Sequence, residues 1–315
     1  VLIRVKDKER KINTTMENTR AKTTRNSLIL LLTATIWGMA FVSQSKGMDY
    51  MHPFTFNGVR SLIGAAGILV YILISRKIAG DKAAKLDWKL NVRAGLLCGI
   101  FLTIASTLQQ FGIKYTSVGK AGFITTLYII FVPMFGVFLK KKVAPVVWAA
   151  AGMAAVGMYL LCMTESLRLG AGDIMVFLCA IAFAIQIMTV DHYAARIDGA
   201  VVSCIQFTVC GVVCCIGALI WGQPTFGQIQ EGLGALLYAG VLSCGVGYTL
   251  QIVGQKGLNP TVAALIMSLE SVIATISGWI AYKIGFLSTD QTLTPRQIAA
   301  VSYTHLRAHE TVLDL

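Results

Sequence analysis

Two charged side chains lie deep inside long apolar stretches of this 315-residue sequence: Arg60 and Glu270. A carboxyl group far from water can take up and release a proton while something else moves, and a guanidinium can hold an anion. Ionisable groups inside membrane-length apolar segments are costly, and they point either to function or to a buried pair. Glu270 lies about 15 Å along a helix from Pro260, and Arg60 about 10 Å along one from Pro53. On antiparallel helices these depths differ by roughly 5 Å, within reach of long side chains. An Arg60–Glu270 ion pair that only locks the bundle is one reading. The other is that Glu270 titrates near the membrane midplane and couples movement of a solute to protons.

A second set of residues could bind rather than titrate. Gln109 and Gln251 recur in matched strings, and Trp37, Tyr128 and Tyr248 offer aromatic walls. Thr125, Gln186 and Ser268 add hydroxyl and amide groups on neighbouring stretches. Aromatic walls with a few donors and acceptors suit a small amphipathic solute. Taken singly, each could equally be packing or an interhelical hydrogen bond.

These residues need helices that cross a membrane. Charged residues make up 13% of the chain and hydrophobic ones 56%, against about 25% charged in a soluble domain. Only 27 charged residues fall between positions 27 and 295. That segment cannot present a wetted surface to water, which excludes a secreted disulfide scaffold, a disordered chain and an ordinary cytosolic enzyme. Spans of roughly 20 apolar residues are expected at about 27–44, 53–74, 94–113, 118–139, 144–163, 172–190, 200–221, 233–254 and 260–282. The fold class is an all-α membrane protein, a polytopic helix bundle. With the N-terminus inside, 19 of the 27 Lys and Arg residues fall on the cytoplasmic side, as the positive-inside bias requires. The formal charge of +12 then marks a membrane face and not a nucleic-acid surface. The partners expected are a small-molecule solute, the lipid bilayer and, as an option, a second copy of the chain.

Two stretches match at an offset of 142 residues: Leu108-Gln109-Gln110-Phe111-Gly112-Ile113-Lys114 and Leu250-Gln251-Ile252-Val253-Gly254-Gln255-Lys256. Identities continue at Ala121/Ala263, Ile124/Ile266, Leu127/Leu269 and Gly136/Gly278. One repeat is therefore five spans long, and an odd number of spans turns the second copy over in the membrane. Inverted repeats of this kind are the architecture of secondary transporters, with the solute site near the midplane between the halves.

The chain resembles an EamA-type member of the drug/metabolite transporter superfamily. The resemblance rests on Ile36-Trp37-Gly38-Met39-Ala40-Phe41-Val42, Phe56-Asn57-Gly58-Val59-Arg60, the run from Ala121 to Tyr128 with Val132-Pro133, and Leu269-Glu270. It covers roughly residues 27–301. It implies ten helices in two inverted five-helix repeats, 27–164 and 172–301, that move small metabolites across the plasma membrane, and it does not imply a particular substrate; an amino acid or related solute, moved outward, is the expectation. Many relatives carry Pro after this Glu, where Ser271 stands here, so a broken helix is less expected at that point.

The ends read differently. Residues 1–26 form a basic tail, of which 1–15 precede a plausible start at Met16. A tenth span begins at Leu293 and stops being apolar after Val301, and the polar run 302–315 cannot span a bilayer. That run resembles translated sequencing-adapter read-through, a genuine polar tail being the alternative. The eight cysteines lie in or beside apolar runs, with no C-x-x-C pair and no histidines at zinc-ligand spacing. They read as packing residues, and no metal or cofactor is expected. A membrane-embedded lipid-modifying enzyme would need paired acids or histidines. The spans hold one central Glu and no His, so no catalytic residues are assigned. A non-transporting scaffold is the remaining alternative.

Overall fold

The computed structural model describes residues 2–80, 86–140 and 170–288, plus positions 145, 148, 149, 152, 156 and 291, with the backbone alone for 2–20. The described elements are helices. They begin with α1 (Leu2–Gly47), α2 (Pro53–Ala79) and α3 (Trp88–Ile113). The next span is split into α4 (Val118–Thr126) and α5 (Tyr128–Phe138). After α6 (Ala171–Tyr193), α7 (Gly199–Gly217) runs on as a π-helical turn, Ala218–Gly222. A short α8 (Phe226–Glu231) leads into α9 (Leu233–Leu237), a wide π-helical stretch Tyr238–Gly247, and α10 (Tyr248–Gly254). The last described span is again split, into α11 (Pro260–Met267) and α12 (Glu270–Lys283). Among the described residues, eight helical segments are long and apolar enough to cross a membrane. The expected span at 144–163 lies almost wholly outside the described residues, as do the segment 293–301 and the tail 302–315.

Local chemistry sets the span starts. Pro53 and Pro260 occupy first-turn positions where a missing N–H costs nothing. The Asn259 side chain accepts from the Thr261 N–H at 2.9 Å, and Asp198 accepts from the Ala200 and Val201 N–H groups. These side chains supply the caps that helix N-termini need.

The exterior is apolar, and the interior sets polar side chains within an apolar core. Asn57, Gln110, Gln186, Gln206 and Ser203 are fully buried, while Ile78 is 81% exposed, Phe138 78% and Leu219 74%. An apolar rind around a polar centre is stable only where the surrounding solvent is hydrocarbon. The protein is a multi-pass membrane protein.

Close helix approach relies on missing side chains. α2 packs on α7 and on the π-helical stretch. A Cβ at Gly64 would lie 2.6 Å from the Cys244 Cβ and 2.9 Å from the Gly240 carbonyl oxygen. Gly64→Val is therefore expected to cost about 1–3 kcal/mol through overpacking and to lower the melting temperature in detergent. Gly67→Val, three residues along the same helix with no neighbour atoms within 4 Å, should leave it unchanged.

The loops sort into two ends. Asn26 donates to the Lys256 carbonyl at 2.7 Å, and the Asp198 N–H donates to Asn91 at 2.9 Å. Arg76, Arg196 and Lys256 face a common open cavity there. Elsewhere, Asp173 ties the start of α6 to α4 by accepting from Lys120 at 2.6 Å and from Thr116 at 2.9 Å. The seven described cysteines are free thiols. Cys210 illustrates their packing role, its sulfur lying 3.4 Å from the Ser106 hydroxyl and 3.5 Å from that of Ser61.

Candidate functional site

Two helices break at the same place in the 142-residue register. α4 ends at Thr126 and α5 starts at Tyr128, while α11 ends at Met267 and α12 starts at Glu270. At each break the leucine N–H makes a tight three-residue bond, Leu127 to Ile124 at 3.2 Å and Leu269 to Ile266 at 3.3 Å. At each break a hydroxyl takes a carbonyl: Thr126 to Phe123 at 2.8 Å and Ser268 to Leu265 at 2.7 Å. The interruption thus needs neither Gly nor Pro. It precedes Glu270, which corrects the expectation that Ser271 in place of Pro weakens a break here. The Ser271 hydroxyl itself donates to the Ser268 carbonyl at 2.9 Å.

The two restart positions meet. The Tyr128 hydroxyl donates to Glu270 Oε1 at 3.0 Å, and the two residues are 142 positions apart. The 142-residue offset read in the sequence therefore matches Tyr128 with Glu270, and this hydrogen bond joins two positions in register with each other. No sequence pattern announces it, because the offset marks equivalence and not contact.

Around this bond lies a small enclosed cavity of about 30 Å³, space for little more than a water molecule. Nine of the ten residues singled out in the sequence face it. Trp37 comes from α1 and Arg60 from α2; Gln109, Thr125 and Tyr128 come from α3, α4 and α5. Gln186, Tyr248, Gln251 and Glu270 close it from α6, α10 and α12. Ser268 is the exception, its hydroxyl being held at the helix break. The repeat-matched glutamines are used differently. Gln109 donates to Thr125 at 3.2 Å, whereas Gln251 donates to Gln186 at 3.2 Å, which in turn donates to Gln206 at 3.5 Å.

Trp37 and Tyr248 pack with ring centroids 4.5 Å apart, and Phe207 meets the other side of Tyr248 edge-on at 5.0 Å. Tyr248 is thereby fixed as a rigid wall.

The expected Arg60–Glu270 ion pair is not formed. Among the described residues, ion pairs join only Lys46 to Asp49 and Lys120 to Asp173. Glu270 is held by Tyr128, and the Arg60 guanidinium lies over the ring of Phe56, one turn back on its own helix, at 5.5 Å. Matching depth along the membrane normal did not bring the two groups into contact.

Several cavity atoms are left without a partner. Trp37 Nε1 and Arg60 Nε are buried donors with none, and Gln44 Oε1 and Gln251 Oε1 are buried acceptors with none. Buried polar atoms are ordinarily paired, so this set offers both signs of hydrogen bonding to an incoming molecule. Gln44, Phe41 and Phe183 also line the cavity and were missed as candidates. The signal was present: Ala40-Phe41-x-x-Gln44 and Ala182-Phe183-x-x-Gln186 share three identities at the same 142-residue offset.

Membrane-length helices around a small cavity with polar lining, two of them interrupted beside it, make this a polytopic membrane protein. The chain belongs to the EamA-like transporter family, whose model matches residues 25–163 and 170–291. An uncharacterized transporter of Archaeoglobus fulgidus is 30% identical over 52% of this chain. That match covers 48% of the archaeal protein, so this chain spans about half of that relative's length. An uncharacterized transporter of Clostridium kluyveri is 24% identical over 79% of this chain and 83% of its own. The uncharacterized transporter YwfM of Bacillus subtilis is 27% identical over 80% and 84%. A crystal structure of a protein 17% identical superposes with a TM-score of 0.70, covering 92% of this chain and 97% of the other, a likeness of fold. The protein is a transporter and not an enzyme.

Proposed function

We propose that the protein exports a small zwitterionic metabolite, an amino acid or a related solute, across the plasma membrane. Two inverted five-helix repeats would open the central cavity alternately to either side. The observation that carries this reading is the Tyr128–Glu270 hydrogen bond between equivalent repeat positions, with Arg60 facing the same cavity. Arg60 and Trp37 supply donors for a carboxylate. Glu270, Gln44 and Gln251 supply acceptors for an ammonium group, and Tyr248 and Phe183 supply walls for a side chain. A cavity of about 30 Å³ is too small for such a solute, and the reading takes it as the contracted form between two open ones.

Glu270 is the coupling group in this scheme, exchanging a proton when its bond to Tyr128 is broken. Export agrees with the open cavity at the Arg76–Arg196–Lys256 end. That end carries most of the Lys and Arg residues and is assigned to the cytoplasm with the N-terminus. The test is counterflow in proteoliposomes against a metabolite panel that includes zwitterionic, cationic and anionic solutes. Accumulation of one or more zwitterions, competed by their unlabelled forms, is expected. Exchange of none of them would overturn the reading.

A further inference from the structure

We propose that the open cavity at the Arg76–Arg196–Lys256 end is an outer binding site for the anionic group, carboxylate or phosphate, of a dissolved solute approaching the centre. The inference rests on the transporter reading and adds a second site to it. The cavity measures about 630 Å³, large enough for a small metabolite. Among the described residues its three basic side chains form no ion pair, those found lying elsewhere. Two aspartates also face it, Asp87 and Asp198, each with one oxygen taken by a helix cap, so the described lining carries three positive charges against two negative. Asp87 accepts from the Leu90 N–H at 3.0 Å, and Asp198 from the Ala200 N–H at 3.0 Å. Lys256 spends one donor on the Ile197 carbonyl at 3.3 Å and Arg196 one on that of His192 at 3.4 Å. An ammonium has three donors and a guanidinium five, so most of them stay available.

One element links this cavity to the centre. Thr249 and Val253 face the open cavity, at the i, i+4 spacing of one helix face, and Lys256 joins them from the turn that follows α10. Tyr248 and Gln251, on the adjacent face of the same helix, line the central cavity. From Tyr248 to Gly254, where the helix ends, is about 9 Å along the axis. Gln255 continues the Tyr248–Gln251 face toward the open end. Its side chain is 1% exposed, and both amide atoms are unpartnered. An unsatisfied buried amide at that position is a polar station between the two cavities.

Arginine-specific modification by phenylglyoxal, read residue by residue by mass spectrometry, tests the site. The protein is placed in nanodiscs of neutral phosphatidylcholine, with inorganic phosphate or acetate added against sodium chloride of equal ionic strength. Modification of Arg76 and Arg196 should slow at least threefold, while Arg93, at the same end but outside this cavity, keeps its rate. Lys256→Gln should weaken the protection, and Arg76→Gln with Lys256→Gln should raise the KM for the counterflow solute at least threefold. Protection by neither anion, or protection that appears only when the nanodisc contains phosphatidylglycerol, would overturn the proposal. The footprint needs no turnover, so Glu270→Gln protein should show it undiminished. Loss of the footprint with counterflow intact overturns the outer site alone, and loss of counterflow overturns the transporter reading.

Discussion

Glu270→Gln protein should lose transport driven by a pH gradient, down to the level of empty liposomes, while solute counterflow without a gradient persists. Among the described residues that line the central cavity, Glu270 is the only carboxyl group and Arg60 the only basic one. The other groups near Glu270 are the phenols of Tyr128 and Tyr248 and the thiol of Cys179, and a guanidinium does not deprotonate in proteins. An amide at position 270 keeps an oxygen that accepts from the Tyr128 hydroxyl, so the join between the broken helices survives. What it loses is the exchangeable proton. Parallel assays in one liposome preparation separate the outcomes. Gradient-driven transport at the wild-type rate would show that Glu270 is a structural acceptor only.

The second large effect separates stability from function. Arg60 is 5% exposed, its Nε has no partner, and no acid pairs with it among the described residues. A buried, unpaired charge costs several kcal/mol, and apolar replacement of buried charges is often stabilising by about 1–4 kcal/mol. Arg60→Met should therefore raise the melting temperature of the purified protein. It should also remove the charge-assisted bonds to a solute carboxylate, worth about 1.5–3 kcal/mol, and weaken solute binding about 10- to 100-fold. Scanning fluorimetry and equilibrium binding on the same preparation check both halves. A drop in melting temperature would mean that Arg60 is part of the scaffold. Unchanged binding would remove it from the site. Stability given up at a functional position is a recurrent trade-off.

How far the sequence carried these conclusions differs by feature. The spans were legible because hydrocarbon demands long uncharged helices, and the starts at Pro53 and Pro260 were marked by proline chemistry. The cavity was largely legible as well, because polar and aromatic residues inside apolar spans stand out one by one. Contacts were not. The bond between Tyr128 and Glu270 depends on how the two repeats face each other, which periodicity within one helix does not encode. The same limit produced the expected Arg60–Glu270 pair, since matching depth says nothing of azimuth. The break at Leu127 was not expected and the one before Glu270 was discounted for want of a proline, because Thr126-Leu127 and Ser268-Leu269 read as ordinary helix. The interruption shows only in the three-residue backbone bonds of Leu127 and Leu269, with the Thr126 and Ser268 hydroxyls taking carbonyls beside them. The π-helical stretch Tyr238–Gly247 is rich in small residues, among them Ala239, Gly240, Ser243 and Gly245, a composition that permits close packing and does not specify helix pitch.

The most direct test of the account is the proton count. Proteoliposomes holding a pH-sensitive dye, with labelled solute supplied on one side only, report proton and solute movement together during net transport by the wild-type protein. A cavity whose described lining holds one carboxyl group predicts one proton per solute, falling to none in Glu270→Gln. Solute movement without protons in the wild type, or two protons per solute, would contradict it.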